Sequence, residues 1–345
     1  MTNVNTDPHT VPDESPFVSI VVINYNGGQY VLNCIQSLLQ TTYSHYKVSV
    51  LDNASQDSSA DDIRNTFPDV EVIKLNTNVG YAGGVNYAMD LFHYEYIVIL
   101  NNDIYVDHDW LRKLIATAEA NPMAIMIGPR VLNTIDGTTS FAGAYLTFPV
   151  IGSNIIYANG QKYSGLLEPS YAAGALFMLR RHEALLIGSF DSDYFLNWEE
   201  IDFAWRAWLC GYRVLMNLDA CVYHDGGKST KGILMSRRMS FLSHKNRIMT
   251  YNKYLSNRPL LMGAFGEIIC GSRILVNSIS GGGPKANCRL QGYLLAILWI
   301  LKNLRVVYGK RLYMKRRCKY WGLLPPGTKA SKMHFNDFTK YILKQ

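Results

Sequence analysis

With 345 residues, 48% of them hydrophobic, the chain has apolar material for one large domain plus an appendage, or for two domains. Its net charge of +7 conceals a division: residues 226–345 hold 23 Lys+Arg and 2 Asp+Glu, leaving 11 basic and 25 acidic residues before them, or +21 against −14. That asymmetry points to an anionic partner for the C-terminal part, while six scattered cysteines without a CxxC pair argue against zinc and dithiol motifs and fit a reducing compartment.

The opening stretch, MTNVNTDPHTVPDESP, is polar, holds three prolines and lacks the apolar core of a signal peptide, so a flexible lead-in is expected over residues 1–16. Phe17–Asn24 is a β-branched run ending at NYNGG, a turn composition, and predicts a first strand. Tyr30–Leu39 carries Val31, Leu32, Ile35, Leu38 and Leu39 at helical spacing. Lys47–Leu51 predicts a second strand, Ser58–Phe67 a polar helix, Val70–Leu75 a third strand and Asn86–Phe92 a short helix. Tyr96–Leu100 is apolar or aromatic throughout, the mark of a strand buried on both faces. The order β-α-β-α-β-α-β implies a parallel, doubly wound sheet. Such sheets bind ligands at the carboxyl ends of their strands.

Those ends carry useful polar groups. Asn101, Asn102 and Asp103 close the central strand and place Asp103 where a hard cation and a phosphate can meet, although Asn and Asp are also ordinary turn residues. Asp52 ends the second strand and suits either a hydrogen bond from a base N–H or a helix N-cap. Asn78, Gly80, Gly83 and Gly84 allow backbone to approach a sugar or phosphate. GYAGG lacks the G-x-G-x-x-G spacing, which disfavours a Rossmann dehydrogenase.

Taken in order, VVINYNGGQYVLNCIQSLL, VLDNASQDSS, NVGYAGGVNYAM and ILNNDIYV resemble the nucleotide-binding half of a family 2 glycosyltransferase of the GT-A fold. The likeness is greatest to the rhamnosyltransferase and galactofuranosyltransferase branch and runs from about Phe17 to Gly227. It implies a mostly parallel α/β sheet flanked by helices and a UDP- or dTDP-sugar donor. Asp52 would contact the uracil or thymine; Asn24, Asn102 and the Asn78–Gly84 stretch would line the nucleoside and sugar-phosphate pocket. Asp103 would be the last acid of a D-x-D motif holding Mg2+ or Mn2+, with Asn101 in place of its first acid.

Further on, Trp110–Glu119 predicts a helix and Ala124–Val131 a returning strand. Residues 133–170 give no readable pattern and suit either a mobile acceptor loop or a surface excursion. Ala172–Leu179 reads as a strand with small residues first, Arg180–Ile187 as a helix stopped by Gly188, and Asp191–Asn197 as a turn. Glu199, Glu200 and Asp202 then open a helix, where acids suit the helix dipole. Set between Trp198 and Phe203 they also make a general-base site, because apolar walls and like charges raise a carboxylate pKa. WEEIDFAWR resembles the family's aromatic-E-D-x-D-x-x-x-R motif. That likeness implies Glu200 as the catalytic base, Glu199 sharing or exchanging its role, and Asp202 orienting the acceptor or Arg206. It also sets His224 at the family's histidine metal ligand. The implied reaction is inverting transfer to a saccharide or lipid-linked saccharide.

From Lys231 on, aromatic, aliphatic and basic residues interleave. Residues 235–255 have helical periodicity with a basic face, and Leu260–Val276 is apolar apart from Glu267 and Arg273. A break follows at Gly281–Pro284, and Gly292–Leu301 is too short to span a bilayer. A helical bundle packed on the catalytic domain or on a second copy is one expectation; docking to an anionic membrane surface is another, compatible with it. No recognised nucleic-acid motif is present. The expected organisation is a lead-in over 1–16, a GT-A domain over 17–230 and a basic helical region over 231–345, in a cytoplasmic protein peripheral to the inner face of the cell membrane.

Overall fold

The computed structural model describes residues 15–148, 152–155, 164–225, 237–280, 283–326 and 328–330. Most of the expected lead-in and the start of the basic region lie outside these residues. The chain alternates β1 (Val18–Asn24), α1 (Gly28–Leu38), β2 (Tyr46–Asp52), α2 (Ser59–Thr66), β3 (Glu71–Lys74), α3 (Gly80–Leu91) and β4 (Tyr96–Asn101). A short β5 (Ile104–Val106), α4 (Trp110–Ala120) and the long β6 (Ala124–Asn133) follow. The stretch without a readable pattern holds β7 (Thr139–Phe141), β8 (Ala144–Phe148), β9 (Gly152–Ile155) and β10 (Leu166–Leu167). Then come β11 (Leu176–Arg180), α5 (Arg181–Leu186), α6 (Glu199–Leu209) and β12 (Arg213–His224).

The main sheet has the order β10-β12-β6-β11-β4-β1-β2-β3. β1 to β4 are mutually parallel, and β6 and β12 run parallel to each other. β11 runs antiparallel between β4 and β6, so the sheet is mixed at its centre. Alternation along the strands explains the layers. Val18, Ile20 and Val22 of β1 join Val98 and Leu100 of β4 against α1 and α4. Val21, Ile23, Ile97 and Ile99 point the other way, against α3 and α6. Each such side chain is essentially inaccessible, and full burial of an aliphatic residue stabilises by about 1.5–3 kcal/mol relative to exposure.

The C-terminal region is helical, as its periodicity predicts: α7 (Arg237–Tyr254), α8 (Asn257–Ile279), α9 (Gly283–Lys302) and α10 (Leu304–Arg317), with a final short strand β13 (Lys329–Ala330) beside β8. Two readings change here. The ten-residue apolar run lies inside the 20-residue α9, which meets α10 at a 72° bend. And α8 is long and apolar enough to cross a membrane by length and composition, with Leu261, Phe265, Ile268, Val276 and Ile279 exposed. Its Glu267 does not stand free in that run: it pairs with Arg247 of α7 at 2.9 Å.

Candidate active site

The carboxyl ends of β1, β2 and β4 meet in a network of amides and hydroxyls. Asn24 donates to Asp52 (2.8 Å) and Ser59 (2.9 Å), and its own side-chain oxygen accepts from Asn102 at 2.9 Å. Asp52 also accepts from the backbone N–H of Ser55 (3.1 Å) and from its hydroxyl (2.5 Å). The helix N-cap reading of Asp52 is corrected: α2 is preceded by Ser58, and Asp52, fully buried, ties down its own turn through Ser55. The residue beside it does face the open space: Asn53 lines the main cavity while its side chain grips the amide of Val79 and the carbonyl of Gly80.

The glycine stretch also differs from expectation. It is not a loop: α3 begins at Gly80, and only Gly80 of the three glycines borders the cavity. Gly80 has φ +77°, and a Cβ there would lie 2.4 Å from the Phe195 carbonyl oxygen. That oxygen accepts from the backbone N–H groups of Tyr81 (2.6 Å) and Ala82 (3.4 Å), closing the helix start from a distant loop. Gly84 packs against Ile23 and Leu51, and Gly83 lies against the Val79 side chain, so both serve helix packing.

Asp103 and His224 converge. β5 lies antiparallel to the end of β12 with Ile104 opposite His224, which brings the imidazole to the residue just before β5. His224 Nε2 stands 3.1 Å from Asp103 Oδ1. Both line a cavity of about 420 Å3 with Asn101, Asn102, Asn53 and Asn78. A wider depression of about 700 Å3, lined by Tyr25, Ser55, Lys74 and Asn78, opens beside it. Among the described residues no cluster of three or more His, Cys, Asp or Glu side chains could hold a metal. The fit is a partial shell of one carboxylate, one imidazole and the Asn101 amide, which suits a cation that takes its remaining ligands from water and substrate phosphates.

Glu199 and Glu200 adjoin this cavity without lining it. A Cβ on Gly174 would lie 3.2 Å from the Glu200 carboxyl carbon, and the Gly174 carbonyl accepts from Tyr81 Oη at 2.7 Å. Tyr81 is itself a cavity wall. Each glutamate has a buried carboxyl oxygen with no hydrogen-bond partner. Burial pushes both carboxyls up, Glu200 to about 7, and at Glu199 the charge of Glu200 adds to the effect. Buried, unpaired oxygens of this kind are uncommon in folded proteins and call for a functional reason. A carboxyl poised near neutrality suits proton abstraction.

Of the two roles expected for Asp202, the pairing with Arg206 is the one its surroundings fit. Asp202 is 1% exposed and takes donors from Tyr194 (2.9 Å), Tyr254 (2.8 Å), Lys253 (2.6 Å) and Arg206 (3.3 Å). The expected pairing with Arg206 is present; contact with an acceptor is not open to it. Lys253 of α7 also pairs with Asp191, and Lys310 of α10 reaches the same carboxylate. Burial alone would raise the Asp191 carboxyl, but the two ammonium groups outweigh it and hold it below the ordinary carboxylate range.

These ions brace an irregular loop. Phe195, Asn197 and Trp198 all have positive φ, between 62° and 72°, immediately before the glutamates. Non-glycine residues in that region persist only where their surroundings enforce it. Here the enforcement comes from α7: Asn246, fully buried, donates to the carbonyls of Tyr194 (2.9 Å), Leu196 (2.9 Å) and Asn197 (2.6 Å), and Lys245 binds the Asp193 carbonyl. Sequence reading missed Asn53, Tyr25, Asn246, Lys253 and the cavity-lining Arg238. Asn53 and Tyr25 sit at strand ends and were open to the same reasoning as their neighbours. The α7 residues give no local signal, because their partners lie tens of residues away.

Comparison with known proteins bears on this geometry. Residues 19–183 match the model of glycosyl transferase family 2. Over that segment the chain is similar to family 2 glycosyltransferases. A low-salt glycan biosynthesis hexosyltransferase of Haloferax volcanii is 25% identical over 252 residues, covering 69% of this chain and 76% of its own. A poly-beta-1,6-N-acetyl-D-glucosamine synthase of Staphylococcus aureus is 22% identical, and the chain spans about half the length of that relative (61% of this chain, 50% of the relative). Among solved structures, GalNAc-T7 with UDP, GalNAc and Mn2+ superposes with TM-score 0.59 at 14% identity, covering 85% of this chain and 58% of that one. That likeness establishes the GT-A fold. The family match ends before the acid pair, His224 and α7, so the second flank of the site belongs to the part of the family domain's surroundings that this chain's own packing defines.

Proposed function

We propose that the protein is an inverting, metal-dependent glycosyltransferase. It would move a sugar, rhamnose-like or related, from a UDP- or dTDP-sugar to a saccharide or lipid-linked saccharide acceptor in cell-surface polysaccharide synthesis such as that of O-antigen. The observation that carries the reading is the pairing of Asp103 with His224 at 3.1 Å on a cavity whose Tyr81 wall neighbours buried Glu199 and half-buried Glu200, each with an unpartnered carboxyl oxygen. The Mn2+ present with UDP in the GalNAc-T7 structure supports a divalent cation here.

Asp103 and His224, with Asn101, would hold Mg2+ or Mn2+, which when bound supplies charge neutralisation at a diphosphate. Asn53, Asn78 and the start of α3 would bind the nucleoside side of the donor, with Asn24, Asp52 and Asn102 keeping those strand ends in register. Glu200 takes the proton from an acceptor hydroxyl, and the hydroxyl oxygen attacks the anomeric carbon opposite the leaving diphosphate. One displacement inverts the configuration and needs no covalent enzyme intermediate. Burial keeps the basicity of Glu200 high, and the charge of Glu200 raises Glu199 in turn, so Glu199 shares the site as a second candidate base. The division we propose is residues 1–16, 17–230 and 231–345, with α7 as the element that braces the acid-pair loop. The exposed apolar faces of α8 and α9, set among 23 basic residues, support peripheral docking on an anionic membrane.

The test is sugar transfer or donor hydrolysis across a panel of nucleotide sugars with added Mn2+ and after thorough EDTA treatment. Turnover with at least one donor that disappears in EDTA is expected. A second reading, a non-catalytic nucleotide-sugar-binding relative, draws on the small metal ligand set; binding without turnover of any donor would favour it.

A further inference from the structure

The cavity that holds Asp103 and His224 has one feature that the scheme above leaves unused. Arg238, on the first turn of α7, forms part of its wall. Among the described residues it is the one Arg or Lys lining this cavity, and Asp103 is the one carboxylate. Its guanidinium is exposed and lies over the Phe195 ring, 5.0 Å from the centroid. Among the described residues it makes no ion pair with a carboxylate, unlike Lys245's neighbours Arg247 and Lys253 on the same helix. An unneutralised guanidinium held by an aromatic face at the mouth of a cavity is a built anion site, since its planar fork matches phosphate oxygens and is more weakly hydrated than an ammonium.

The other obvious anion donor is already occupied. The start of α3 borders the same cavity, and free N–H groups at a helix N-terminus would favour phosphate. Here Gly80 N–H goes to Asn78 Oδ1 at 2.8 Å, while the Tyr81 and Ala82 N–H groups go to the Phe195 carbonyl. A diphosphate in this cavity therefore finds its fixed protein cation on α7 and not on the α3 backbone.

Resting on the glycosyl-transfer reading, we propose that Arg238 binds the diphosphate of the nucleotide donor and takes up the charge that develops on it as the sugar leaves. The α7 helix then serves both flanks of the site: Arg238 touches the leaving group, while Asn246 and Lys253 brace the loop carrying the base. The guanidinium belongs to the protein itself, so its contribution does not require the metal site to be filled.

The experiment compares full-length wild type, Arg238→Gln and Arg238→Lys by calorimetric binding of UDP, dTDP, their nucleosides and inorganic pyrophosphate, with Mn2+ and again in EDTA. Arg238→Gln is expected to weaken nucleoside diphosphate and pyrophosphate binding by about 10- to 100-fold in both conditions, with nucleoside affinity and melting temperature unchanged. Arg238→Lys should fall between. Equal diphosphate affinity in wild type and Arg238→Gln overturns the assignment of Arg238 and leaves the glycosyl-transfer reading standing. A wild type that prefers no diphosphate to its nucleoside overturns that reading, and the Arg238 proposal with it.

Discussion

The donor edge and the acid-pair flank of this cavity hold their residues in place by different means. Asn24, Asp52, Ser55 and Ser59 link neighbouring strand ends through amides and hydroxyls, with separations of at most 35 residues. The acid-pair flank is held by buried ions from far along the chain: Lys253 is 51 residues from Asp202, and Lys310 is 119 from Asp191. The first network surrounds a single carboxylate, Asp52, with three neutral donors, so losing one leaves two in place. Removing a cation from the ionic one takes charge compensation away as well. The proposed base is thereby made dependent on the C-terminal helices, whereas the network around Asn24 is not.

The comparison can be broken most directly at the base. Glu200→Gln is expected to lower transfer by about 10^2- to 10^4-fold, while UDP or dTDP affinity measured by calorimetry stays within about twofold. Near-normal turnover would remove Glu200 from the mechanism. Next in size, Lys253→Met takes one of two cations from buried Asp202, which keeps Arg206, and from Asp191, which keeps Lys310, and should cost about 3–5 kcal/mol in denaturant unfolding. Asn24→Ala, at the donor edge, should cost only about 1–3 kcal/mol. Equal losses at the two positions would erase the contrast.

Asn246→Ala withdraws the donor from three loop carbonyls and lets the strained residues relax. A drop in kcat of about 100-fold is expected from misplacing the glutamates, with nucleotide affinity unchanged. A purely structural role would instead move both quantities together. The smallest effect is in pH dependence. Glu200 must be deprotonated to act, so kcat/KM should rise with pH through about 7 and level off above it. Since the folded carboxyls bind protons more tightly than unfolded ones, the native state loses stability as pH rises from the ordinary glutamate range through about 7. Glu199→Gln relieves that repulsion and should raise the melting temperature at pH 8 by a few degrees, with no gain at pH 5. A gain that is the same at both values would detach it from ionisation.

Much of the nucleotide-binding half was legible in the residues themselves. Strand after strand is a β-branched run closed by Asn or Asp, and period-2 burial on both faces follows directly from that pattern. Position at a strand end was not enough to assign a role. Asp52 and Asn53 are adjacent and equally polar, yet one is sealed in a turn and the other faces the cavity, because successive side chains leave a strand on opposite sides. The glycine stretch misled for a related reason: a helix that must pack on a sheet and start beneath Phe195 uses glycine as readily as a phosphate loop does.

Composition and periodicity by themselves determined the α/β class and the basic helical C-terminal region, and the motif resemblance supplied the acid pair, Asp103 and His224 as candidates. Only tertiary structure decided that Asp202 is taken up by Tyr194, Tyr254, Lys253 and Arg206, that α7 enforces the backbone of the acid-pair loop, and that a guanidinium from the basic region lines the cavity. The physical reason is the range of the interactions. Hydrophobic periodicity acts between near neighbours and is written along the chain, whereas a buried ion pair or a helix start capped by a distant carbonyl exists only after the chain has closed on itself.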